Sequence, residues 1–106
     1  MTTFDDRERA FETKYARDEE FGFRVNARRN KLVAQWASEQ MGLTAAEADA
    51  YSKAVVQADF EEAGDEDVVR KLVGDLTAAG CAVGEAEVRH KLNEMSVEAR
   101  RQLGEG

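Results

Sequence analysis

The chain has 106 residues with 22 acidic and 15 basic side chains, a formal net charge of −7, and this length supports one domain with a single core of adequate size. A surface acidic as a whole repels nucleic acid and anionic membrane, and no apolar run approaches the roughly 18 residues of a membrane span. One cysteine, Cys81, leaves no internal disulfide and fits a reducing cytoplasm, and one histidine, His90, leaves no material for a histidine-based metal site.

The first segment, residues 2 to 20, reads TTFDDRERAFETKYARDEE. Phe4, Phe11 and Tyr15 fall at i, i+7 and i+11, one stripe of a helix, amid seven acidic and four basic side chains. Burying three aromatics contributes roughly 6–9 kcal/mol, whereas ordering the segment costs on the order of 30 kcal/mol of conformational entropy before backbone hydrogen bonds are credited. The arm, residues 1–19, is therefore expected to be largely disordered when free and to fold where a partner supplies a groove. Three aromatics on one stripe favour that reading over a solvated, frayed end. The opening MTTFDDRERAFE has neither the basic and then apolar pattern of a secretory signal nor the acid-poor pattern of a transit peptide, so the expected location is the cytoplasm.

Residues 21 to 41, FGFRVNARRNKLVAQWASEQM, form a stem whose Phe21, Val25, Leu32 and Trp36 lie at i, i+4, i+11 and i+15, a core-facing stripe. If arm and stem were one helix from Asp5 to Met41 it would be about 55 Å long, against about 30 Å for a folded body of the remaining size. The arm must then project or hinge, and Gly22 stands near the joint. Arg24, Arg28, Arg29 and Lys31 are four cations with no acid between them, and Arg24, Arg28 and Lys31 share one flank. That flank reads either as an anion or phosphate site or as a solvated face answering an acidic segment elsewhere. The second is favoured, because such a segment follows.

Gly42 has the place of a C-cap, and Thr44-Ala45-Ala46-Glu47 matches a capping box that opens a second helix. Ala48, Tyr51, Val55 and Ala58, widened by Val56 and Phe60, carry its apolar face to about Glu62. Residues 59 to 67, DFEEAGDED, hold six carboxylates without the alternating ligands of a calcium loop. Gly64 is expected to end the second helix, and Asp65 to cap a third with Glu66 and Asp67 in its first turn. Val69, Leu72, Val73 and Leu76 repeat at helical spacing up to Gly80, and Val88, Leu92, Met95 and Ala99 do so in a fourth helix that Gly104 closes. Cys81 reads as a partly buried, inert thiol and His90 as a surface residue.

With no proline and no alternating β pattern, the fold class is all-α: a four-helix bundle over residues 20–106, with helices near 20–41, 45–62, 66–79 and 85–103, and a mobile N-terminal arm. No P-loop, dinucleotide fingerprint, HExxH, CxxC or nucleophile elbow occurs. Adjacent acids such as Glu61 and Glu62 point to different helix faces, a poor geometry for acid–base work. No enzymatic activity, cofactor or metal is expected.

The opening TTFDDRERAFE, the DEE before the stem, ARRNKL followed by Trp36-Ala37, and ADFEEAGDEDVVRKL occur together in an order that closely resembles one family, the zeta subunit of alphaproteobacterial F-type ATP synthases, natural inhibitors of ATP hydrolysis. The resemblance spans nearly the whole chain and departs around Phe21 to Asn26, with Gly22 at the joint, and in the GCAVG link. It implies a four-helix bundle whose N-terminal segment, Thr2 to Glu19 in this chain, becomes helical as it enters a catalytic alpha/beta interface of the enzyme's soluble head and blocks rotation in the hydrolytic direction. The residues it marks for that contact are Phe4, Asp5, Asp6, Arg7, Glu8, Arg9, Phe11, Glu12, Lys14 and Tyr15. It also implies alpha, beta and gamma subunits as partners, a monomer when free, no membrane insertion, and a place in the cytoplasm on the periphery of the membrane-bound synthase. The residues themselves leave two alternatives: a small helical binding module, for an adenine nucleotide at Arg24, Arg28 and Lys31, without inhibitory action, or a bare structural adaptor.

Overall fold

The computed structural model describes the backbone of residues 3–59 and 64–104 and the side chains of residues 19–59 and 64–104. Four helices follow one another, α1 (Thr3–Met41), α2 (Ala45–Ala58), α3 (Glu66–Ala78) and α4 (Glu85–Gln102), with no strand among the described residues. The all-α, four-helix class read from the sequence is the observed one.

Each turn has a local cause. At the end of α1 the Leu43 amide donates to the Ser38 carbonyl at 3.0 Å and the Gly42 amide to the Glu39 carbonyl at 3.2 Å. This double closure places Gly42 at φ 70°, a left-handed conformation that a side chain disfavours. Gly80 (φ 83°) repeats the device after α3, where the Cys81 amide reaches the Leu76 carbonyl at 2.9 Å. The capping box of α2 is present in both directions: the Glu47 amide donates to the Thr44 hydroxyl at 3.2 Å, and the Thr44 amide to the Glu47 carboxylate at 2.8 Å. The Thr44 backbone amide, and after it the Thr44 side chain, hold the Glu47 carboxyl below its usual pKa.

The core lies where α1 is flanked by α2 and α4 and closed by α3. Val33, Ala34 and Ala37 of α1 meet Val55 of α2, Val68, Val69, Leu72 and Leu76 of α3, and Val88 and Leu92 of α4. The expected stripe on α1 is corrected in part. Val25 is buried, but Phe21, Leu32 and Trp36 are only half-buried, and the innermost positions are Val33, Ala34 and Ala37. A helix packed on two sides buries a wide face, and the small side chains at its centre let both neighbours approach, which leaves the large ones at the seams. Trp36 sits at such a seam with the Lys91 ammonium 5.5 Å from its ring centre. On α3, Val68 joins the core and Val73 moves to its margin.

α2 closes at Ala58 with Asp59 as its C-cap, short of the expected Glu62; Phe60, Glu61 and Glu62 lie outside the described residues. α1 begins far earlier than the stem expected near residue 20 and passes through Gly22 unbroken. At 1.5 Å per residue its 39 residues span about 58 Å, close to the 64 Å long axis of a molecule only 24 by 21 Å in section. Of the two possibilities, projection and hinge, the structure has projection. Once the stem has supplied a nucleus, each further residue adds a hydrogen bond without a new nucleation cost, and a Cβ at Gly22 would meet nothing within 4 Å.

Leu72 is fully buried at the centre of the core, whereas Val97 is 71% exposed. Truncating Leu72 to Ala is expected to cost about 2–5 kcal/mol, and Val97 to Ala less than about 0.5 kcal/mol. Urea unfolding of the two variants beside the parent checks the contrast.

Candidate functional site

All ten residues marked for partner contact, Phe4, Asp5, Asp6, Arg7, Glu8, Arg9, Phe11, Glu12, Lys14 and Tyr15, fall on the N-terminal part of α1; their side chains lie outside the described ones. Among the described residues the first buried position of α1 is Val25. Along the helix axis Tyr15 stands about 15 Å before it and Phe4 about 32 Å before it. The structure thus brings these residues together on one continuous helix, apart from the core, and at heptad-like spacing positions 4, 11 and 15 stack along one side of that helix.

The root of the overhang is fastened by charge. Arg29, 5% exposed, reaches across to the acidic link between α2 and α3, with a guanidinium nitrogen 3.0 Å from the Asp65 carboxylate and 3.8 Å from that of Asp59. Its Nε donates to the side-chain oxygen of Asn30 at 3.1 Å, and Asn30 is itself fully buried. The nitrogen facing Asp65 makes no well-aligned hydrogen bond, so the contact is an ion pair. It also corrects the expected cap of α3. Asp65 occupies the N-cap position but its side chain makes no capping bond, because the carboxylate faces Arg29. Glu66 and Asp67 stand in the first turn of α3 as expected, with Asp67 paired to Arg70 at 3.0 Å.

Sequence reasoning grouped Arg29 with its neighbours as one of four cations and missed its burial. The signal was the register Val25, Arg29, Val33, Ala37, four residues apart throughout. Arg24, Arg28 and Lys31 are exposed. Arg28 and Lys31 line a groove of about 380 Å³ between α1 and α2, with Gln35, Asp49, Ser52 and Lys53 also in its walls. Arg28 also donates to the Gln102 side chain of α4 at 3.1 Å.

Elsewhere the titratable groups serve packing. The Tyr51 hydroxyl donates to Asp75 at 2.8 Å, and partial burial together with that carboxylate pushes the phenol above its ordinary pKa. Cys81 is half-buried with its thiol donating to the Gln40 carbonyl at 3.2 Å, and His90 is a surface residue with Glu94 4.0 Å away. Among the described residues no group of three or more metal-ligating side chains forms, and no helix is long and apolar enough to cross a membrane.

Comparison with known proteins bears on the whole chain. The family model described as ATPase inhibitor subunit zeta matches residues 1–102, a span that includes the overhang, the bundle and the link between them. A structure solved by NMR in solution is 49% identical, with a TM-score of 0.68, over 76% of this chain and 92% of that one. No curated protein matches.

The ion pair yields a stability test. Replacing Asp59 and Asp65 together by Asn strands a buried guanidinium and is expected to cost about 2–4 kcal/mol, the lower end because Asp65 is partly in water. Arg29 to Met removes the charge and keeps the stem, and is expected to cost less than the double change. Urea midpoints decide it, and the reverse order contradicts this account of the link.

Proposed function

We propose a mechanism from the premise that the chain belongs to the ATPase inhibitor subunit zeta family: the segment Thr2 to Glu19 enters a catalytic alpha/beta interface of F-type ATP synthase as a helix and blocks rotation in the hydrolytic direction. The observation that carries this reading is the continuity of α1, which runs from the packed face at Val33 and Ala37 through Gly22 to Thr3 with no break. A helix anchored at one end and free of the bundle at the other offers a partner a rod that the bundle holds in place. The protein acts as a subunit without catalytic groups of its own. Its partners are the alpha, beta and gamma subunits of the soluble head, and it is a monomer when free, cytoplasmic, and peripheral on the membrane-bound synthase.

In the free protein the arm, residues 1–19, is largely disordered in time, a helix that opens often because it precedes Val25, the first fully buried position of α1 among the described residues. Amides from Thr2 to about Arg17 are then expected to exchange rapidly, with protection rising into the bundle. Tight protection of the whole segment in a monomer contradicts this.

A second reading, adenine nucleotide bound by the bundle without inhibition, draws on the groove beside Arg28, Lys31 and Lys53. The two readings separate at the arm. On entry into a hydrophobic interface, Phe4 and Phe11 act as anchors while Asp5, Arg7, Glu8 and Arg9 set register through charge complementarity. Asp6, Glu12, Lys14 and Tyr15 complete the contact. Replacing Phe4 and Phe11 together by Ala is expected to weaken inhibition of the cognate ATPase about tenfold or more with the melting temperature nearly unchanged. Full inhibition by that variant refutes the role of the arm, and nucleotide binding unaffected by it supports the second reading.

A further inference from the structure

The pairing of charges across the bundle is uneven in a way that the arm does not explain. Among the described residues every lysine and arginine of α2 and α3, and all but Arg100 on α4, has a carboxylate within 4.0 Å. Among the described side chains of α1 only Arg29 is so paired. Among the described residues Arg24, Arg28 and Lys31 have no such partner, although the chain carries seven more acids than bases. The three lie at i, i+4 and i+7, one exposed ridge about 10 Å long, immediately C-terminal to the overhang. Arg28 is steadied by a neutral partner, the Gln102 amide, which orders the guanidinium without quenching its charge.

We infer that this ridge is a second docking surface, fitted to an acidic protein surface beside the site that receives the arm. The inference rests on the inhibitor reading for the identity of the partner. Position supports it: whatever holds the arm along α1 next meets Arg24, then Arg28, then Lys31, since all are on the same helix. Chemistry supports a protein surface over a small polyanion. The cations form a row along the helix, and Arg24 lies outside the groove that Arg28 and Lys31 line, so a small anion seated in that groove leaves Arg24 unused whereas an extended acidic surface meets all three. Solvent-exposed cations of this kind steer encounter and set orientation more than they add final affinity.

The test uses the full chain with Arg24→Glu, Arg28→Glu and Lys31→Glu combined, and a second, milder variant with Gln at all three, each checked by thermal melting. Binding to the purified catalytic head of the cognate synthase and the onset of inhibition are followed across a range of salt. The expected result is association slowed by about tenfold or more at low salt in the Glu variant, with a flattened salt dependence and with the Gln variant between it and the parent. The maximal inhibition at saturation is kept, because the arm is intact. Onset and salt dependence equal to the parent overturn the ridge and leave the inhibitor reading standing. Binding that depends on the ridge but never inhibits overturns the inhibitor reading and leaves the ridge. No binding of the parent chain to the head overturns both. Titration of the free chain with ATP alone is expected to leave the Arg24, Arg28 and Lys31 resonances unmoved, and saturable shifts there assign the ridge to a small anion and overturn its role as a protein contact.

Discussion

α1 is the one helix that every other element needs. α2 and α4 lie against its two sides and α3 closes the far side of the core, so the face from Val25 to Met41 must serve three neighbours at once. Ala34 and Ala37, both fully buried, are small enough to let the flanking helices approach, while Leu72 and Leu76 fill the space opposite. The same constraint sets the limit of the bundle. Its partners are helices of 14, 13 and 18 residues, at most about 27 Å long, and cannot accompany a helix of 39 residues along its length. An overhang follows from these lengths alone.

Much of this was legible in the chain. Helical periodicity located the helices because each carries apolar residues at three- and four-residue spacing, and glycines at 42, 80 and 104, all with positive φ, mark the ends where the reading put them, whereas α2, expected to end at Gly64, closes already at Ala58. The capping box at Thr44 was read correctly because both partners are local. The misreadings have a common cause in long-range packing. Arg29 and Arg28 are indistinguishable by composition; the register with Val25, Val33 and Ala37 turns Arg29 inward, and Asp59 and Asp65, approaching from the α2 to α3 link, supply the charges it meets there. That same approach takes the Asp65 carboxylate away from the cap that local pattern assigned to it. Trp36 was placed on the core-facing stripe by its spacing with Val25 and Leu32, whereas two-sided packing puts alanines at the centre of the face. The residues proposed for partner contact come only from family resemblance: three aromatics on a stripe favour a partner that supplies a groove and say nothing of whose groove it is.

The buried polar row formed by Asn30 and Arg29 fits this account. It adds little net stability, since burying a guanidinium offsets most of what its ion pairs return, but it ties the middle of α1 to one link of the bundle and thereby fixes the helix in rotation and register. If, as proposed, α1 presents one face to a partner beyond the bundle, fixed rotation is worth more than a marginal gain in stability. Under the proposed mechanism the helix also lowers the cost of inhibition. An arm that grows from an existing helix needs propagation only, with no nucleation, so less of the binding energy of its aromatics is consumed in ordering the segment.

The central claim is that inhibition resides in the overhang and that the bundle serves as its holder. The most direct measurement is ATP hydrolysis by the cognate synthase with the full chain and with a chain lacking residues 1 to 18, the shortened chain being checked for its fold by thermal melting. The account predicts inhibition by the full chain and none by the folded, shortened one. Equal inhibition by both contradicts it.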